Sequence, residues 1–173
     1  LAMSNGGEVD AELQRIDGTS NSYPNLVKIP IPINIIQGAV FSRNLRFPIM
    51  GWHSLRPYRI GIVRGILFAE QQTIGMERTF MDSYPALIDA INNGEVDVGV
   101  MLRIGGLSAI RELKSDGIVE LDGVLETLFL YHYVHRSRAD LVEKLQPVLK
   151  DMLLSGEIRR MREQAIAALK EES

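Results

Sequence analysis

The 173-residue chain is 46% hydrophobic and 24% charged, proportions that place it among globular proteins of one domain or two small ones. A net charge of −3 and a pI near 5.7 leave no basic footprint, which excludes a dedicated nucleic-acid binder. No apolar run approaches the roughly 20 residues of a membrane-spanning helix, and the absence of cysteine excludes disulfides, thiolate zinc sites and cysteine nucleophiles.

Leu1 to Gly6 reads as the last turn of a helix and its glycine stop. It carries neither a basic stretch nor an apolar one, so no signal peptide is present in this chain, and the chain is expected to be a fragment or to have lost a leading segment. Val9 to Ile16 is the first predicted strand, followed by the polar loop Asp17 to Ser22. Leu26 to Ile33 is extended because Pro30 and Pro32 disfavour helix, and prolines at alternate positions predict an edge or a connector rather than a central strand. Ile35 to Ser42 reads as a separate strand.

From Trp52 onward the pattern is regular. Tyr58–Val63, Arg78–Met81 and Val96–Leu102 are predicted strands, and Gly65–Gly75 is a predicted helix. Asp82-Ser83-Tyr84-Pro85 opens a second helix with a capping residue and an early proline, and Leu107–Lys114 is a third. Strands alternating with helices at this spacing predict βαβ units around a parallel sheet. Val124–His135 returns to an extended pattern. In the tail, Leu141, Leu145, Val148, Leu149, Met152 and Leu153 recur at helical spacing, Ser155-Gly156 interrupts them, and Ile158, Met161 and Ala165 resume.

One tetrapeptide occurs twice. Gly-Glu-Val-Asp stands at Gly7–Asp10 and again at Gly94–Asp97, each time after an Asn or Asn-Gly turn and before a mixed apolar segment carrying an arginine. A turn that stops a helix and feeds a strand belongs to an α/β unit. Two copies predict two similar lobes, and two lobes predict a cleft for a ligand.

The entry Trp52–Leu55 followed by Tyr58-Arg59-Ile60-Gly61-Ile62-Val63-Arg64-Gly65 resembles the start of the second lobe of family 3 extracellular solute-binding proteins. So do Ser83 through Val100 and the closing segment Leu141–Met161 with its Ser155-Gly156-Glu157 break. The resemblance covers nearly the whole chain but begins partway into the family's first lobe. It implies an α/β, bilobal, periplasmic binding protein type II-like fold of two Rossmann-like lobes with hinge strands, the first lobe incomplete. Residues 1–50 would be the remainder of the first lobe and its hinge strand, 51–122 the second lobe, and 123–173 the return strand and the helices that pack on the first lobe. It also implies a periplasmic, non-enzymatic receptor of an ABC-type importer. The implied partners are a small polar or anionic molecule and a membrane permease, with no cofactor and no metal. A periplasmic dehydratase-like enzyme and a ligand-sensing domain of a signalling protein are the alternatives. A truly truncated chain is expected to be an oligomer or domain-swapped.

The candidate ligand-binding residues are Glu12, Arg15, Arg64, Gly65 and Arg103, all placed near predicted strand ends, where open α/β sheets bind ligands. Arginine presents a planar fork suited to carboxylate or phosphate. The same arginines could instead solvate strand ends or pair with Glu12 and Glu95. Gly65 opens a helix whose N-terminus could hold an anion, or is there only for close packing. Glu12 is the one plausible acid or base in the expected cleft. Family members hold the ligand's ammonium with an acidic residue where this chain has Leu102, and the Thr-x-x-Arg expected after the first strand is absent. Simple carboxylates are therefore the expected ligands. Asp10 and Asp97 read as turn residues rather than catalysts. His53, His132 and His135 do not cluster for a metal, and no catalytic constellation emerges.

Overall fold

Both copies of Gly-Glu-Val-Asp sit at a helix-to-strand junction in the computed structural model, which describes residues 1–171 and side chains through 168. Helix α1 (Ala2–Gly6) closes at Gly7, whose φ of 80° only glycine adopts cheaply, and β1 (Ala11–Ile16) begins directly after Asp10. The second copy closes a helix at Gly94, φ 70°, and a strand begins at Val98 directly after Asp97. The hydrogen bonds match one for one. Gly7 N–H donates to Ser4 O and Glu8 N–H to Met3 O, while Gly94 N–H donates to Ile91 O and Glu95 N–H to Ala90 O. This is the paired backbone closure of a left-handed helix stop.

After β1 come the single turn α2 (Thr19–Ser22) and β2 (Leu26–Ser42), then a 3-10 turn at Trp52–Leu55. Alternation follows: β3 (Ile60–Val63), α3 (Leu67–Gln72), β4 (Arg78–Met81), α4 (Tyr84–Asn92), β5 (Val98–Leu102) and α5 (Arg103–Glu112). β6 (Val119–Glu120) and β7 (Glu126–His135) lead to a 3-10 turn and the helices α6 (Asp140–Leu154) and α7 (Glu157–Glu171). The prolines do not split the second extended segment. β2 is one strand of 17 residues, and its pairing with β5 and β6 uses Gly38 to Ser42, beyond Pro30 and Pro32.

The chain forms two compact units. The first comprises Leu1–Ile36 and Leu128–Ile166, the second Gln37–Thr127 with the end of α7 from Ala167. β2 and β7 each run through both. In the first unit, β1 pairs antiparallel with β7, from Ala11 opposite Val134 to Ile16 opposite Leu130. In the second, β5, β3 and β4 lie parallel, and β2 joins the β5 edge antiparallel.

The second unit has a core on each face of its sheet. Val40, Leu55, Ile60, Ile62, Val98, Val100 and Leu125 fill one face. Ala39, Phe41, Leu87, Ile88, Ile91, Val96 and Met101 fill the other, beneath α4 and α5. Strands buried on both faces read as continuous apolar runs, which is the pattern of Ile60–Val63 and Val98–Leu102. α4 approaches the sheet closely because Gly61 and Gly99, cross-strand partners, offer it no side chains. α5 does the same through Gly105, against Tyr84, and Gly106, against Phe41.

The first unit is covered less completely. α6 has apolar residues at helical spacing yet buries none of them, and Leu13, Phe129, Val148, Leu154 and Met161 are exposed. An apolar groove of about 220 Å³ runs between Ile35, Phe129, Leu153 and Ile158, with Arg159 and Arg162 at its rim.

Candidate functional site

The three parallel strands of the second unit end together, and the residues that follow them are charged. Arg64 follows β3, Asp82 follows β4 and Arg103 follows β5. Arg64 Nε donates to Asp82 Oδ1 at 3.2 Å, and its guanidinium stacks 5.0 Å from the Phe80 ring centroid. Both partners of that ion pair are well exposed, so it is a weak tether that leaves the guanidinium accessible. Gly65 takes φ 88°, and its N–H donates to Glu70 Oε1 at 2.7 Å. The backbone donor beside Arg64 is thus already matched with a carboxylate from α3, a helix that starts only at Leu67.

Arg103 is the first residue of α5, not part of a loop before a helix at Leu107 as the sequence suggests. The glycines at 105 and 106 read as loop but serve helix packing. Tyr84 fixes this strand-to-helix corner from α4, because its hydroxyl accepts the Leu102 N–H at 3.1 Å while its ring covers Gly105. Arg103 Nη1 donates to Gln37 Oε1 at 3.3 Å, and Nε lies 2.7 Å from Glu120 Oε1. Arg103 and Glu120 line an open hollow of about 420 Å³ with Asp122, Gly123 and Val124.

A residue that sequence reasoning missed completes this corner. Gly38 pairs with Leu102, so Gln37 stands opposite Arg103 on one side of β2. On the other side, Leu125 N–H donates to Gly38 O at 2.8 Å, which sets Glu126 opposite Gln37. Glu126 Oε2 is buried with no hydrogen-bond partner among the described residues. A lone carboxylate at the head of an apolar strand carries no motif, and only the register exposes its place.

In the first unit, a β-bulge brings Glu12 and Arg15 together. Glu12 stands opposite Tyr133 and Arg15 opposite Tyr131, so three steps on β1 match two on β7. The extra residue returns both side chains to one side, and Arg15 Nη2 meets Glu12 Oε2 at 2.7 Å. Glu12 stands near the start of β1 rather than its carboxyl end, and it also accepts the Ser4 hydroxyl from α1. That hydroxyl, with the nearby Arg15 charge, holds the Glu12 carboxyl below its ordinary value of 4.5 against the opposing effect of burial. A carboxylate so matched stays ionised and is a poor proton donor near neutrality.

The two repeat aspartates each bind an arginine. Asp97 accepts from Arg59 Nη2 at 2.6 Å, Nε at 3.2 Å and the Arg59 backbone N–H at 2.9 Å. Asp10 accepts from Arg138 Nη1 at 2.5 Å. Among the described residues no group of histidine, aspartate and glutamate could hold a metal ion, and no helix is long and apolar enough to cross a membrane.

No protein-family profile matches the sequence. A curated relative, an uncharacterized protein of Shewanella oneidensis, is 27% identical over 179 residues, spanning 98% of this chain and 67% of the relative. The fold is similar to a histidine kinase sensor domain with similarity to periplasmic binding proteins, with a TM-score of 0.67 and 17% identity over 94% of this chain and 72% of that one. It is also similar to the substrate-binding protein of an amino acid ABC transporter, with a TM-score of 0.59 and 16% identity over 94% of this chain and 73% of that one. The chain therefore has the α/β fold of periplasmic-binding-protein-like domains.

Proposed function

We propose that this chain is a non-enzymatic receptor domain that binds a small polar molecule bearing a carboxylate, an amino acid or a related acid. The observation that carries the reading is the common ending of β3, β4 and β5. There, Arg64 and Arg103 stand at the carboxyl ends of neighbouring parallel strands, the place where open α/β sheets take ligands. Arg15, in the first unit, is proposed as a further carboxylate partner, oriented by Glu12. Gly65 contributes by letting the chain turn beside Arg64 rather than by donating to the ligand. Glu12 acts as a structural counter-ion, which removes the one acid or base a dehydratase-like reading needs.

Two settings suit such a domain. Likeness to a transporter's substrate-binding protein supports delivery to a membrane permease from the periplasm or the cell exterior. Likeness to a kinase sensor domain supports ligand sensing in a signalling protein. Binding chemistry is common to both, so one experiment tests the shared claim. A thermal-shift panel of amino acids and carboxylates should contain a ligand that stabilises the protein. Saturation at a hundred times Kd is worth about 2.7 kcal/mol, or roughly 5–10 °C at this size. Arg64→Ala and Arg103→Ala should each abolish most of that shift. A shift indifferent to both substitutions would place the site elsewhere.

A further inference from the structure

We propose that Glu126 is a specificity-determining residue of this ligand site, receiving a cationic group, an ammonium or a guanidinium, on a ligand whose carboxylate goes to Arg103. The inference rests on the binding reading above and narrows its ligand class.

Two buried polar atoms in this corner of the second unit lack aligned hydrogen-bond partners among the described residues, and they are opposite in character. Arg103 Nε is a donor, close to Glu120 at 2.7 Å but not hydrogen-bonded to it. Glu126 Oε2 is an acceptor. Buried polar atoms are nearly always matched, and a bare carboxylate oxygen is among the costliest exceptions, so each such atom in a folded protein calls for a partner. The register sets the two residues on either side of Gln37, two strand spacings or about 10 Å apart across the sheet. Gln37, Ala39 and Phe41 alternate onto one face of β2. Leu125 contacts the opposite face at Gly38, so Glu126 shares the face of Gln37 and of its partner Arg103. A free donor and a free acceptor on one face complement a molecule that carries both a carboxylate and a cation.

The local charge agrees. Glu120, Asp122 and Glu126 outnumber Arg103 here, so a plain carboxylate would add a negative charge to a corner already in excess, whereas a zwitterion adds none. The acidic partner that is missing at Leu102 is thereby supplied from the other side of β2. Simple carboxylates, the ligands expected from the sequence, become the weaker class.

Calorimetric titration with matched pairs tests this: glutamate against glutarate, alanine against propionate, phenylalanine against 3-phenylpropionate. In the pair that binds, the amino acid should bind about tenfold or more tightly than its des-amino partner, the scale of a charged hydrogen bond. Glu126→Gln should reduce that advantage to less than about threefold. Without ligand, Glu126→Gln should melt at or above the wild-type temperature, because it removes a buried unmatched charge. Equal binding of both members, with no effect of Glu126→Gln, would overturn the inference and leave the binding reading intact. A lower melting temperature with the preference preserved would give Glu126 a structural role and overturn it too. Heat from neither member of any pair would overturn the binding reading, and this inference with it.

Discussion

Gly61→Val is expected to be among the most damaging single substitutions in the second unit. A Cβ on Gly61 would sit 2.3 Å from Leu87 Cδ1 and 3.1 Å from Val96 Cγ2, inside a fully buried core. Its cross-strand partner Gly99 is equally confined, with Ile91 Cδ1 at 2.7 Å from a Cβ there. Together they form the floor on which α4 rests, so added bulk cannot be absorbed by one rotamer and must lift the helix. Overpacking of this kind costs about 3 kcal/mol or more, which lowers the melting temperature by roughly 6–12 °C. The effect should reach the ligand site, because Tyr84 of α4 holds the corner from which Arg103 projects. Leu87→Ala removes the nearest obstacle, so in the double variant the two penalties should be clearly less than additive. Urea unfolding of the four proteins measures this. A Gly61→Val protein as stable as wild type would show that α4 does not rest on these glycines.

Glu12→Gln is expected to destabilise the first unit by about 1–2 kcal/mol near neutral pH. It weakens charged hydrogen bonds from Ser4 and Arg15, discounted because Arg15 is 41% exposed. The sign with pH follows from the direction of the shift. The Ser4 hydroxyl first, and the Arg15 charge with it, hold the folded-state pKa below the ordinary 4.5. The stabilisation is therefore complete above pH 4.5 and is lost as pH falls through the lower folded-state value. Denaturation curves of wild type and Glu12→Gln should stand apart at pH 7 and converge in acid. Equal stability at both pH values would deny Glu12 its structural role and reopen the acid-base reading.

How far the sequence could be read depended on whether a signal was local. β4 is legible to the residue, because Arg78–Met81 lies between a glycine-bearing turn and the Ser83 cap of α4. The repeated tetrapeptide is legible because both copies solve one local problem, a left-handed helix stop. β2 was divided in two because prolines bar hydrogen bonding only where a neighbour needs their N–H, and β5 pairs elsewhere along the strand. The start of α5 was missed for a tertiary reason. Gly105 and Gly106 weaken a helix in isolation, yet Tyr84 and Phe41 leave room for nothing larger. Of the candidate residues, Arg64 and Arg103 were visible from strand ends. Glu12 was placed too near the ligand end because a bulge is invisible in composition, and Glu126 was passed over because only the pairing of three strands sets it beside Arg103.

The account's central claim is that a carboxylate-bearing ligand meets the second unit where β3 and β5 end. Backbone amide chemical-shift mapping on isotope-labelled protein, during titration with the best ligand of the thermal panel, tests it most directly. The largest shifts should fall on Arg64, Gly65, Leu102, Arg103 and Glu126. Largest shifts in the groove around Ile35, Phe129 and Leu153, with the strand ends unmoved, would contradict it.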